Sequence, residues 1–142
     1  MTLSLPPLPV VADASVLIDA LLAEPAASEA LRRWTEEERM LLAPPLVWVE
    51  VANVLLRRYR MPASVIAAKL ELLVTSGLET ADRGPRGVAA AVGLAEHHGL
   101  TAFDATSLWL AIHVDGELAT TDVALIRAAE AEGVALAIPP AA

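Results

Sequence analysis

The chain contains no cysteine. Disulfides, a thiol nucleophile and a thiolate metal site are therefore excluded. Histidine is scarce: His97, His98 and His113 are the three present, and their spacing matches no zinc motif, which argues against a hydrolytic zinc centre. Lysine is nearly absent, with Lys69 alone against nine arginines. Aromatic residues make up only 4%, so the core has to be aliphatic, built from Leu, Val, Ile and Ala. Basic charge is also short: 18 acids against 10 bases give a net charge of −8. A protein that coats nucleic acid non-specifically is basic, so that class is disfavoured. An enzyme that neutralises its own acidic site with metal ions is not. No apolar run approaches the roughly 18 residues of a membrane span. The richest stretch, Leu41 to Leu56, is broken by Pro44, Pro45, Glu50 and Asn53. The start of the chain lacks the basic region of a secretory signal and carries Asp13 early. The expectation is a cytoplasmic protein. Its 142 residues suit a single domain, 1–142, with 1–8 as a loose lead-in.

What is present is a regular alternation. Short apolar runs at Pro9–Ala12, Met40–Ala43, Leu78–Ala81, Glu117–Thr120 and Val134–Ile138 read as strands. Between them lie helical stretches at Ser15–Ala23, Pro25–Arg39, Leu46–Tyr59, Pro62–Ser76, Val88–His98, Asp104–Val114 and Asp122–Glu132. Asp82–Gly87 reads as a turn, and Gly99 and Gly133 as helix stops. Short apolar strands alternating with amphipathic helices predict an α/β fold, a parallel sheet covered on both faces. In open sheets of this kind ligands bind outside the carboxyl ends of the strands.

Four acids stand out. Asp13 follows the first strand, Asp122 the fourth, Asp104 opens a helix, and Glu50 interrupts an apolar one. Burying an unpaired charge is costly, so each needs a reason. Asp13, Asp104 and Asp122 could each cap the helix that follows, since Asp is a leading N-cap residue. Capping also leaves lone pairs for another role. Glu50 cannot be a cap. Its helical neighbours are Leu46, Val47, Asn53 and Val54, and an ion pair with Arg57 is its other explanation. Carboxylates gathered at one sheet edge repel one another, and a hard divalent cation relieves that. One or two such ions activate water and stabilise a phosphodiester transition state.

The segments VVADASVLID, VWVEVANVLLRR, HGLTAFDATSLWLA and LATTDVAL occur in this order over nearly the whole chain. Together they make the sequence resemble the PIN-domain nucleases, and among those the VapC-type toxins of bacterial toxin–antitoxin pairs. The resemblance implies a three-layer α/β/α sandwich with a central, mostly parallel sheet. It implies a Mg²⁺- or Mn²⁺-dependent endoribonuclease in which Asp13, Asp104 and Asp122 bind metal and Glu50 completes the pocket, often through water. It places Ser15 and Thr120 beside the acids, orienting carboxylates or water; read alone, they are an ordinary helix-start and an ordinary strand residue. It also implies a homodimer, a VapB-like antitoxin that wraps the toxin, and an RNA substrate of the tRNA or rRNA class. One departure is Ser107, where many relatives carry an aromatic residue. With a net charge of −8, RNA contact falls to local bases: Arg57, Arg58 and Arg60 after the Glu50 helix, and Arg83 and Arg86 in a turn. These five could equally be solvated surface.

Trp34, Trp48 and Trp109 read as core or partner contacts, and His97-His98 as a polar helix end where positive charge suits the dipole. The second and fourth helices could expose an apolar groove for a partner helix. Two rivals use similar acids. A non-catalytic binding module of the same fold would keep the aspartates as caps but has no need of Glu50. A receiver-like phosphoacceptor needs paired acids after the first strand and a lysine after the later ones, whereas this chain has Ala12-Asp13-Ala14 and only Lys69. An Asp-x-Asp phosphatase fails because residue 15 is Ser.

Overall fold

The computed structural model describes residues 5–138. Part of the expected lead-in, 1–4, lies outside the described residues. The elements run β1 (Val10–Ala12), α1 (Ala14–Leu21), α2 (Pro25–Glu36), β2 (Leu41–Ala43), α3 (Pro45–Arg57), α4 (Ala63–Thr75), β3 (Leu78–Thr80), α5 (Gly84–His98), α6 (Ala102–His113), β4 (Glu117–Ala119) and α7 (Val123–Ala131). The four strands form one parallel sheet in the order β3-β2-β1-β4. Val11 pairs with Leu42 on one side and with Leu118 on the other.

Two cores explain why β1 and β2 are apolar at every position. Val10 and Ala12 of β1, Leu41 and Ala43 of β2 and Ala119 of β4 face one cluster with Leu17, Trp34, Val51, Leu55 and Leu73 from α1–α4. The alternate residues Val11, Leu42 and Leu118 face a second cluster with Leu108, Leu110, Leu125 and Ala129 from α6 and α7. This period of two, buried on both faces, gives the three-layer sandwich. Burial of each such Leu or Val contributes roughly 1.5–3 kcal/mol. Small residues bring α5 against α6, with Ala91, Ala95 and Ala105 between them. A Cβ on Gly87 would sit about 3.1 Å from the Trp109 ring, so this helix crossing depends on glycine.

Three expectations need correction. The stretch Asp82–Gly87 is not a turn throughout: α5 begins at Gly84, with Pro85 in its first turn, where a missing N–H costs nothing. Val134–Ile138 forms only an isolated bridge, Leu118 to Leu136, beside β4. Asp104 does not open its helix. Thr101 is the N-cap of α6 and accepts the Asp104 N–H at 3.1 Å. No described helix is long and apolar enough to cross a membrane.

Candidate active site

In this strand order β1 lies between β2 and β4, so the chain's direction of travel across the sheet reverses beside β1. Open parallel sheets bind ligands at this switch point, outside the carboxyl ends of the strands. Asp13 immediately follows β1, and Thr120 and Asp122 follow β4.

Asp13 is buried, yet it occupies the N-cap position of α1 without making a side-chain cap. Its carboxylate is held by hydroxyls instead. Ser15 and Thr120 each donate to Asp13 Oδ2 at 3.0 Å. Each hydroxyl also accepts a backbone N–H from the loop after β4: Thr121 to Ser15 at 3.0 Å and Asp122 to Thr120 at 3.1 Å. These bonds tie the end of β1 to the start of α7. Burial raises the Asp13 pKa, and the Ser15 and Thr120 hydrogen bonds oppose the rise. Asp122 is exposed and caps α7, with Oδ1 accepting the Leu125 N–H at 2.9 Å. The other oxygen takes no part in that cap.

Glu50 lies on α3, half-buried, with its carboxyl pushed up to about 7 by burial and by the charges of Asp13 and Asp104. Asp104 is raised by burial and then by Asp13 and Asp122, while its hydrogen bond to Thr101 acts the other way. Asp104 therefore feels Asp13, Glu50 and Asp122, and brings the four acids into one electrostatic unit. No basic group contributes to the shifts of Asp13, Glu50 or Asp104. The ion pair between Glu50 and Arg57 that the sequence allowed does not form among the described residues.

This unbalanced, all-oxygen donor set fits a hard divalent cation. Among the described residues no three of the four acids bring oxygens within 4.8 Å of one another. The residues that would hold the cation are Asp13, Asp104 and Asp122, with Glu50 beside them.

The five arginines separate into two groups. Arg83 and Arg86 flank the start of α5, just beyond the carboxyl end of β3. Arg83 also lines an apolar cavity of about 540 Å³ with Pro44, Leu46, Val88, Trp109 and Leu110. Arg57, Arg58 and Arg60 lie seven to ten residues beyond Glu50, on the order of 10–15 Å away along α3. All five are exposed. The tryptophans divide as well: Trp34 is core, Trp48 donates to Thr80 at 2.7 Å, and Trp109 stacks on His113 at 4.7 Å. Ser107 is buried, so the missing aromatic is a change inside the protein, away from solvent.

The sequence reading missed Thr101. Its signal was the capping pattern Thr101-Ala102-Phe103-Asp104, a hydroxyl three residues before an acid. The bond to Thr101 fixes the backbone that carries Asp104.

Comparison with known proteins bears on the fold and the family. No curated protein sequence matches significantly. Among solved structures, Mycobacterium tuberculosis VapC20, a sarcin-ricin loop cleaving toxin, superposes with a TM-score of 0.69 at 16% identity, covering 92% of this chain and 99% of that one. VapBC2 from Rickettsia felis, bound to a promoter DNA fragment, gives 0.67 at 16% identity over 89% and 96%. A toxin–antitoxin complex from Klebsiella pneumoniae gives 0.62 at 21% identity over 80% and 86%. Identities this low show a shared fold. The PIN domain family model matches residues 10–131, most of the chain, and the protein belongs to the PIN-domain family.

Proposed function

We propose that this chain is a divalent-metal-dependent endoribonuclease, acting in the cytoplasm as the toxin of a VapBC-type pair. The observation that carries the reading is the unit formed by Asp13, Glu50, Asp104 and Asp122 at the sheet's switch point, where no base offsets the charge. Capping explains Asp122 and leaves Glu50 and Asp104 unexplained, which disfavours a purely non-catalytic module.

Mg²⁺ or Mn²⁺ held here would polarise the scissile phosphate and offset charge developing on its oxygens. The protein's own groups do the rest. Ser15 and Thr120 keep Asp13 in one rotamer, and the Thr101 cap holds Asp104 beside it. Glu50, with its carboxyl near 7, is placed to take a proton from an attacking water at neutral pH. Arg83 and Arg86 offer phosphate contacts at the same sheet edge, with Arg57, Arg58 and Arg60 available to a longer RNA.

VapC20 cleaves the sarcin-ricin loop, and structured RNA of the rRNA or tRNA class is the substrate we assign here. An antitoxin segment fits the groove between α2 and α4, about 430 Å³, lined by Leu21, Leu31, Leu72 and Leu73 with Arg32 and Glu36 at its rim. The exposed Leu46, Val49 and Leu56 of α3 and Val88 and Val92 of α5 offer an aliphatic surface to a second copy, as a homodimer requires.

The test is cleavage of a labelled total-RNA pool with Mg²⁺, with Mn²⁺ and with EDTA, beside Asp13→Asn and Asp104→Asn. Discrete fragments that need metal and vanish in both variants are expected. No cleavage by folded, metal-supplied, antitoxin-free protein would overturn the enzyme reading in favour of the binding module.

A further inference from the structure

A second cluster of ligating side chains lies away from the acids. His97 and His98 are the last residues of α5, before Gly99 turns the chain at φ +67°. Glu132 is the C-cap of α7. All three offer ligand atoms within 4.8 Å of one another. His98 Nε2 and Glu132 Oε2 are 2.8 Å apart, and the two imidazoles meet edge to face with centroids at 4.6 Å. From Glu132 to Asp122 is the length of α7, about 15 Å, so this cluster and the acidic unit are separate.

A simple polar contact accounts for His98 and Glu132; His97, exposed at the end of α5, brings a third ligand atom to the same place. The surroundings favour a cation. Two helices, α5 and α7, end here, and each C-terminus carries partial negative charge. No Lys or Arg occurs between Arg86 and Arg127 or after Arg127, whereas Glu96 and Glu130 add negative charge nearby in sequence. Two imidazoles and one carboxylate are a donor set for Zn²⁺, with a fourth position left for water. We infer that His97, His98 and Glu132 form a Zn²⁺ site that clamps the end of α5 to the end of α7. To reach the roughly 3.3 Å separations of a tetrahedral site, the His98–Glu132 hydrogen bond at 2.8 Å opens by about half an ångström and His97 draws in. The histidine spacing gave no zinc pattern because the third ligand comes from another helix, 34 residues beyond His98.

Titration of the metal-free, full-length protein with Co²⁺, followed by visible absorption and by Zn²⁺ competition, tests this. One Co²⁺ with tetrahedral-type bands is expected, distinct from octahedral Co²⁺ at the acids, displaced by equimolar Zn²⁺ and not by excess Mg²⁺. Thermal melting should rise on adding Zn²⁺. His97→Ala and Glu132→Gln should each weaken binding at least about tenfold. His98→Ala also removes the contact to Glu132, and His97→Ala the edge-to-face contact to His98, so Glu132→Gln, which keeps an oxygen acceptor for His98, is the variant that separates ligation from packing. Asp104→Asn, which alters the acidic site, should keep the tetrahedral-type Co²⁺ bands of the parent. Unchanged affinity in His97→Ala and Glu132→Gln, loss of the tetrahedral-type bands in Asp104→Asn, or no such bands near stoichiometric Co²⁺ would each overturn the site.

Discussion

Thr120 donates its hydroxyl hydrogen to the buried carboxylate of Asp13 at 3.0 Å, across 107 residues of chain. Ser15 donates to the same oxygen, so Oδ1 receives neither hydroxyl. The adjacent strands β1 and β4 make the contact possible: Ala12 pairs with Ala119, and the next residue of each strand turns toward the other. A lone buried carboxylate would protonate or unfold its surroundings. Two hydroxyl donors oppose the rise that burial imposes and keep this one aimed.

Thr120→Val keeps the shape and removes both the donor to Asp13 and the acceptor for the Asp122 N–H. Hydrogen bonds to charged groups contribute about 1.5–3 kcal/mol each, and urea denaturation at neutral pH should show a loss in that range. Mn²⁺ affinity should fall about tenfold, as for other residues that orient ligands. Thr120→Ser, which keeps the hydroxyl, should recover most of both. A Val variant as stable and as metal-competent as the parent would remove Thr120 from the site.

Neutralising the acids should separate stability from activity. Glu50 and Asp104 are both raised by burial and by their acidic neighbours. Glu50→Gln and Asp104→Asn should therefore raise the melting temperature of the metal-free protein at pH 8 while lowering RNA cleavage by two orders of magnitude or more. Sites that trade stability for function behave this way. Loss of both stability and activity would mean that the acids hold the fold together.

Much of this arrangement is legible in the sequence, for identifiable reasons. Val10-Val11-Ala12 is apolar at every position because both faces of β1 are buried, and that run marks the strand. Glu50 is conspicuous because no local role suits a lone acid on an apolar helix face. What stays hidden depends on geometry between distant segments. Asp104 reads as a cap because Asp commonly is one, and the Thr three residues earlier takes that role instead. Gly84-Pro85 reads as a turn because both residues punctuate chains, yet Pro is at home in a first helical turn. Val134–Ile138 carries the composition of a strand but makes one bridge at the sheet edge. Nothing local to His97 or His98 points to Glu132.

The arginines should differ by position. Arg83 stands at the start of α5, near the carboxyl edge of the sheet, whereas Arg58 follows the far end of α3. Arg83→Glu should weaken binding of uncleaved RNA, measured in the Asp104→Asn background, and lower the salt dependence by about one unit of slope. Arg58→Glu should change affinity for a short RNA much less. Equal effects would indicate that RNA runs along α3 as well as across the sheet edge.

The pH dependence of the metal-free protein should follow Glu50. Its carboxyl sits at about 7 in the fold against an ordinary value of 4.5, so the folded state holds this proton more tightly than the unfolded chain does. Folding stability conferred by the protonated form is fully present below about 4.5 and is lost as pH rises through about 7. Asp13 and Asp104, also raised, act in the same direction. Melting temperature should thus fall between pH 5.5 and pH 8 in EDTA. Mn²⁺, which binds only the ionised acids, should restore it at pH 8 and do little at pH 5.5. Glu50→Gln should flatten the upper part of the EDTA profile. A melting temperature that rises toward pH 8 without metal would contradict the mutual repulsion on which the site's metal requirement rests.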